Sequence, residues 1–112
     1  MISLIESFSE IIDSYEIRRY RQNGGAYEFV AIVRFTDKSE LYIRDYLFLN
    51  KEHKYSFHWQ DKRHRLIRRW DNSPYHKHIK TYPFHLHTID SIDESMPMTL
   101  RKVLEFIRER IK

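Results

Sequence analysis

The sequence predicts an α+β domain: an antiparallel sheet of about five strands with an N-terminal and a C-terminal helix packed on one face. Three observations carry this expectation. Apolar residues recur at helical spacing near both ends of the 112-residue chain, and the segments between them alternate with a period of two. No Gly-rich turn links a strand to a helix, as parallel nucleotide-binding folds need.

At the N-terminus, Leu4, Phe8, Ile11 and Ile12 fall at helical spacing, and Ser3 followed by Glu6 has the pattern of a capping box, so a helix is expected over Ser3–Asp13. From Tyr15 the period changes to two. Tyr27, Phe29, Ala31, Val33 and Phe35 share one face of a strand, and Glu28, Val30, Ile32 and Arg34 the other. Asn23-Gly24-Gly25 before it and Asp37-Lys38-Ser39 after it read as the turns of antiparallel hairpins. Leu41–Leu49 is the next strand, with Asp45 interrupting its apolar face and Tyr42, Arg44, Tyr46 and Phe48 opposite. Tyr55–Gln60 and Leu66–Trp70 form a further pair, joined by Asp61-Lys62-Arg63-His64, which lacks Gly and leaves the register open. Pro74 and alternating polar groups break the pattern over Asn72–Ile79. Helical spacing returns over Met98–Ile111 through Leu100, Val103, Leu104, Ile107 and Ile111. No repeat or long linker divides the chain, so a single domain over 1–112 is expected.

Lysine and arginine number 20 against 16 acidic residues, a net charge of +4, but the surplus is local. Residues 51–80 carry nine basic and three acidic side chains, a charge of +6. With 41% hydrophobic and 15% aromatic residues the chain is neither disordered nor fibrous. The lack of cysteine excludes disulfides, thiolate metal sites and a cysteine nucleophile, and makes a cytoplasmic protein the expectation. The longest apolar run, Phe29–Val33, is far short of the ~20 residues that cross a bilayer, so no membrane partner is expected.

All seven histidines lie between residues 53 and 87. His76/His78 and His85/His87 are alternating pairs, and in an extended chain residues i and i+2 face one side, about 7 Å apart. Two chemistries use such pairs. Neutral imidazoles bind zinc and related metals, which opens a metal-dependent hydrolase at the His-x-His pairs. No carboxylate at a signature spacing and no His-Glu-x-x-His helix accompanies them, so no cofactor is assigned. The other chemistry is metal-free cleavage of RNA. It needs a base for the 2′-hydroxyl proton, an acid for the leaving 5′-oxygen and cations around the phosphate, which histidine and arginine supply near neutral pH.

His58, Arg68, Arg69, His76, His85 and His87 lie in or just beyond the basic segment. Asp71 opens an Asx-type turn, Asp71-Asn72-Ser73-Pro74, and is a candidate to orient a histidine. Tyr55, Phe57, Trp59 and Trp70 alternate with Lys54, His58, Arg68 and Arg69, a mixture that lets bases stack while cations hold phosphates. Phe57 and Trp59 are assigned to the core, which leaves Tyr55 and Trp70 as stacking candidates. The same basic aromatic face equally fits a non-catalytic module that holds nucleic acid or a partner protein. Serine catalysis lacks a Gly-x-Ser-x-Gly context.

Three ordered blocks bring a family into view: Tyr55-Ser56-Phe57-His58-Trp59-Gln60-Asp61, then Arg65-Leu66-Ile67 with Arg69-Trp70-Asp71-Asn72-Ser73-Pro74, then Thr81-Tyr82-Pro83-Phe84-His85-Leu86-His87. Together they resemble the TumE family of small toxin components of prokaryotic type II toxin–antitoxin systems. The matching positions are His58, Gln60, Asp61, Arg69, Asp71, Asn72, Pro74, His76, Pro83, His85 and His87. Tyr75 and Phe84 stand where the family pattern often has His, and Leu86 where it often has Lys; Arg68 and His78 lie outside it.

The resemblance implies a growth-inhibiting toxin neutralised by direct binding of a helix-turn-helix antitoxin. Combined with the residue chemistry, the expectation is a metal-independent endoribonuclease. His58 and His85 or His87 share the base and acid roles, Arg69 stabilises the phosphate and Asp71 orients a histidine. Tyr55, Arg65, Arg68, Trp70 and His76 bind the RNA. Charge complementarity places an acidic antitoxin segment over residues 51–80, and Leu41–Leu49, as an edge strand, would pair across a two-fold axis in a homodimer.

Overall fold

The period-two segments form a single antiparallel meander. In this computed structural model, which describes residues 1–111, seven strands lie side by side in chain order. They are β1 (Ile12–Asn23), β2 (Ala26–Phe35), β3 (Glu40–Leu47), β4 (His53–Gln60), β5 (Leu66–Asp71), β6 (His85–His87) and β7 (Ile92–Glu94). A short helix α1 (Ile2–Glu6) with a 3₁₀ turn at Ser9–Ile11 precedes them, and helix α2 (Leu100–Ile111) follows. Gly24 and Gly25, at φ 56° and 91°, are the two left-handed residues of the β1–β2 hairpin, a conformation that other residues adopt only with strain.

The sheet has seven strands where about five are expected, because β6 and β7 are three residues each and too short to register as alternation. The N-terminal helix is also shorter than Ser3–Asp13. Ser7 Oγ donates to the Leu4 carbonyl at 2.6 Å, a side-chain bond that competes with helix continuation, and Ile12 is already paired with Phe35 of β2. Ser3 lies inside α1 and no side chain caps its start. At the other end, α2 begins at Leu100 rather than Met98, where Thr99 Oγ1 accepts the Lys102 backbone N–H at 3.2 Å.

Leu41–Leu49 is not an edge. Its strand, β3, is paired along its whole length with β2 on one side and β4 on the other, so it presents no free backbone for a second copy. The edges are β1 and β7. β1 carries Glu16, Arg18, Arg19 and Arg21 and two register shifts, features that discourage edge-to-edge pairing.

One parity of side chains makes the core. Phe29, Ala31, Val33 and Phe35 of β2, Leu41 and Ile43 of β3, Tyr55, Phe57 and Trp59 of β4 and Trp70 of β5 form one buried cluster with Ile5, Phe8 and Ile11 and with Leu100, Val103, Leu104 and Ile107 of α2. Phe106 meets the rings of Trp59 and Trp70 edge-on, at 6.3 and 5.3 Å. Polar groups on this side are satisfied: Trp59 Nε1 donates to Ser39 Oγ at 3.0 Å, and the Tyr55 hydroxyl accepts the Met98 N–H at 3.2 Å. Asp45, the residue that interrupts the apolar pattern of β3, is buried and receives Tyr27 Oη at 2.9 Å, with His53 Nε2 at 2.6 Å. Burial and the Asp45 carboxylate together raise the Tyr27 pKa far above its usual value.

Leu104 is fully buried at the centre of α2. Leu104→Ala is expected to lower unfolding free energy by about 2–5 kcal/mol in urea denaturation. A loss below 1 kcal/mol would place α2 outside the cooperative core.

Candidate functional site

The opposite parity carries the chemistry. Strand pairing aligns Tyr42 with His58, His58 with Arg69, and Arg69 with His87, a row across β3 to β6. The adjacent row runs Arg44, Ser56, Asp71, His85. Directly opposed residues of an antiparallel sheet project to the same face about 5 Å apart. The two rows therefore gather charge from four strands without any one strand being strongly charged.

Above them lies a cavity of about 550 Å³. Arg44, Lys54, His58, Arg69, His76 and His87 line it, together with Tyr46, Tyr55, Ser56, Leu66, Ser73 and Tyr75, and Asp71 is its only carboxylate. Asp71 is 4% exposed and is held by its own turn, accepting the Ser73 N–H at 3.1 Å and the Ser73 hydroxyl at 3.0 Å. Arg69 Nε donates to its Oδ2 at 3.1 Å. His87 Nε2 is 3.3 Å from the same oxygen, and His85 Nε2 is 2.7 Å from Oδ1. Burial alone would raise the Asp71 pKa, but the Ser73 bonds and the His85 and Arg69 charges outweigh it and hold the carboxyl below its ordinary value.

Asn72 ties this turn to the sheet. Its Oδ1 accepts the Tyr55 N–H at 3.0 Å and its Nδ2 donates to the His53 carbonyl at 2.7 Å, so the side chain extends the β4–β5 ladder beyond the end of β5.

His58 is half-buried in the cavity wall. Burial lowers its pKa below the usual histidine value, the Arg69 guanidinium lowers it further, and Nε2 at 3.2 Å from Gln60 Oε1 only partly offsets them. Its imidazole is thus neutral near pH 7. Burial also lowers the pKa of His87, opposed by the Asp71 carboxylate and reinforced by His85, Arg69 and His76. His85 is 1% exposed and sits beneath His76 and His87, with ring centroids 4.8 and 4.9 Å away.

The structure thus brings His58, Arg69, Asp71, His76, His85 and His87 together. It removes Arg65, Arg68 and Trp70 from the cavity and leaves Tyr55 at its edge with a buried ring. Tyr55 and Trp70 are 3% and 2% exposed; Tyr55 stacks on Phe57 and Trp70 packs on Phe106, so neither ring is free to stack on a base. Arg68 projects to the core side, its guanidinium 4.6 Å from the Phe106 ring centroid. Arg65 lies in the β4–β5 turn, paired with Asp61 at 3.2 Å and lining a separate cavity with Lys62 and Arg63. Of the remaining histidines, His53 pairs with Asp45, His64 with Gln60 Nε2 at 2.9 Å, and His78 is exposed in the loop after β5. Lys54, one of the cations of the basic segment, lines the cavity, and so does Arg44, which the basic segment and histidine clusters do not single out. Alternation places Arg44 on the polar face of β3, but only the strand order brings it beside Ser56 and Asp71.

Fold and site define a small α+β protein with a cationic, histidine-rich cavity on one sheet face. The family model Toxin TumE matches residues 1–111, and the chain belongs to that family. Its members are toxins, which makes this chain a toxin of a toxin–antitoxin system with an antitoxin as its partner. Neither the comparison with curated proteins nor that with solved structures gives a match. Among the described residues no helix is long and apolar enough to cross a membrane.

The perturbation of His58 is directly measurable. Titration followed by ¹H–¹⁵N NMR is expected to give His58 a midpoint below 6.5 that rises in Arg69→Ala. A midpoint that does not respond to loss of Arg69 would contradict their coupling.

Proposed function

We propose that the protein is a metal-independent endoribonuclease that acts in the cytoplasm as the toxin of its pair. The observation that carries this reading is the row His58, Arg69, His87 along the cavity floor. With both helices on the core side of the sheet, the opposite face is left to receive RNA. The two histidines are two strand spacings apart, about 10 Å between backbones, with a guanidinium between them. That span suits one phosphodiester, its phosphate over Arg69 and its 2′- and 5′-oxygens toward the two imidazoles.

His58, kept neutral by burial and by Arg69, takes the proton of the 2′-hydroxyl. The 2′-oxygen attacks phosphorus, the bond to the 5′-oxygen breaks, and His87, whose protonated form the adjacent Asp71 carboxylate favours against burial, gives that oxygen its proton. The products are a 2′,3′-cyclic phosphate and a 5′-hydroxyl, and no co-reactant is consumed. Arg69, with Arg44 and Lys54 beside it, stabilises the charge that builds on the phosphate. Asp71 holds Arg69 and His87 in place, and His85, too buried to touch substrate, positions Asp71.

An acidic segment of a helix-turn-helix antitoxin, laid over the cavity rim, would neutralise the toxin by occupying the phosphate site. The charge of residues 51–80 supports this partner, since Lys54 and Arg69 line the cavity itself.

Loss of either histidine is expected to reduce RNA cleavage by about 10²–10⁴-fold and to abolish growth inhibition, with circular dichroism unchanged. The variants are His58→Ala and His87→Ala, assayed on purified protein free of contaminating nuclease. Arg65→Ala, outside the cavity, is expected to cleave normally. Protein that binds RNA in a salt-dependent manner and leaves it intact from about pH 5 to 9 would replace the nuclease with a binding module.

A further inference from the structure

The His85 ring has a hydrogen-bonding arrangement that proton transfer to or from RNA does not need. Its Nδ1 lies 2.9 Å from the Pro83 carbonyl, which accepts the ring proton and so fixes the tautomer. The other nitrogen, Nε2, then presents a lone pair. It is buried, has no hydrogen-bond partner, and faces Asp71 Oδ1 across 2.7 Å. At that separation from a carboxylate oxygen, Nε2 needs a cation beside it: a second ring proton, shared with Asp71 as an ion pair, or a metal ion held by the imidazoles.

The surroundings say which cation. Among the described residues, His76, His85 and His87 each offer one ring nitrogen, and these atoms all lie within 4.8 Å of one another. His76 comes from the loop after β5 and the other two from neighbouring in-facing positions of β6. The Asp71 carboxylate of β5 lies beside this group, its Oδ2 3.3 Å from His87 Nε2. Three imidazoles select borderline-soft divalent ions such as zinc or cobalt and disfavour magnesium and calcium, which need oxygen-rich shells. A backbone carbonyl receiving the far ring N–H, as Pro83 does for His85, is the support that ligating imidazoles have in metal sites.

We propose that His76, His85 and His87 bind one divalent transition-metal ion of the zinc class, with the Asp71 carboxylate beside them. One consequence rests on the cleavage reading above: a metal on His87 takes that ring out of proton transfer, so the loaded protein is the inactive form and the metal-free protein the active one.

Binding is measured without RNA, so its outcome is independent of the nuclease assay. Untagged full-length protein, stripped with chelator and dialysed, is titrated with Co²⁺ in the visible spectrum and with Zn²⁺ by calorimetry. The expected result is one ion per chain, with ligand-field bands of a low-coordinate cobalt site that Zn²⁺ abolishes. His76→Ala, in the loop after β5, and His87→Ala, each shown to be folded by circular dichroism, are expected to weaken binding at least tenfold, whereas His78→Ala and His64→Ala leave it unchanged. Stoichiometry well below one, or affinity unaltered in His76→Ala and His87→Ala, would overturn the site. Zinc-loaded protein that cleaves RNA where metal-free protein does not would keep the site and overturn the metal-independent mechanism instead.

Discussion

The buried carboxylate of Asp71 is the constraint on which the rest of the site depends. A charge 4% exposed at the end of a strand is tolerable only if donors and cationic groups surround it, and here they come from its own turn, its own strand and the next one. Ser73 supplies two from the turn, Arg69 one from the same strand, and His85 and His87 flank it from β6. Each of these groups is thereby fixed relative to the others. Arg69, whose side chain would otherwise sample many rotamers, is tethered in the cavity lining, which is the preorganisation that binding a phosphate requires.

The fold serves this constraint through register. A meander with every strand paired to its chain neighbours lets one row collect Tyr42, His58, Arg69 and His87, and the next collect Arg44, Ser56, Asp71 and His85. The apolar parity of the same strands is consumed by the core, and Phe57, Trp59 and Trp70 anchor the sheet against α2 from behind. Stability and chemistry are thus divided between the two faces. Asn72 shows how closely they are joined, since its side chain bonds the β4 backbone at Tyr55 and His53 while its neighbour Asp71 organises the site.

Much of this was legible in the sequence where a physical period ran long enough. Ten residues of alternation in β2 and the Gly24-Gly25 turn located the first hairpin, and the apolar spacing of α2 located its buried face. Segments of three residues carry no period, so β6 and β7 were missed, and with them the fact that His85 and His87 lie on a strand beside β5. Chain-neighbour pairing through the whole sheet, which moves Leu41–Leu49 from edge to interior, is likewise a long-range property. Candidate residue types were identified by chemistry, but parity decided their fate. Arg69 and Arg68 are adjacent, and one faces the cavity while the other stacks on Phe106. Tyr55 and Trp70 look like base-stacking residues beside basic neighbours, and both are core.

In the nuclease proposed above, the cavity cleaves RNA by internal attack of the 2′-oxygen, with the protein moving protons and holding charge. The chemistry of the fragment ends reads this directly. Metal-free protein incubated with a defined RNA should leave 2′,3′-cyclic phosphate and 5′-hydroxyl termini, identified by mass spectrometry. Fragments ending in 3′-hydroxyl and 5′-phosphate would mean that water, and not the 2′-oxygen, is the nucleophile, and would contradict the account.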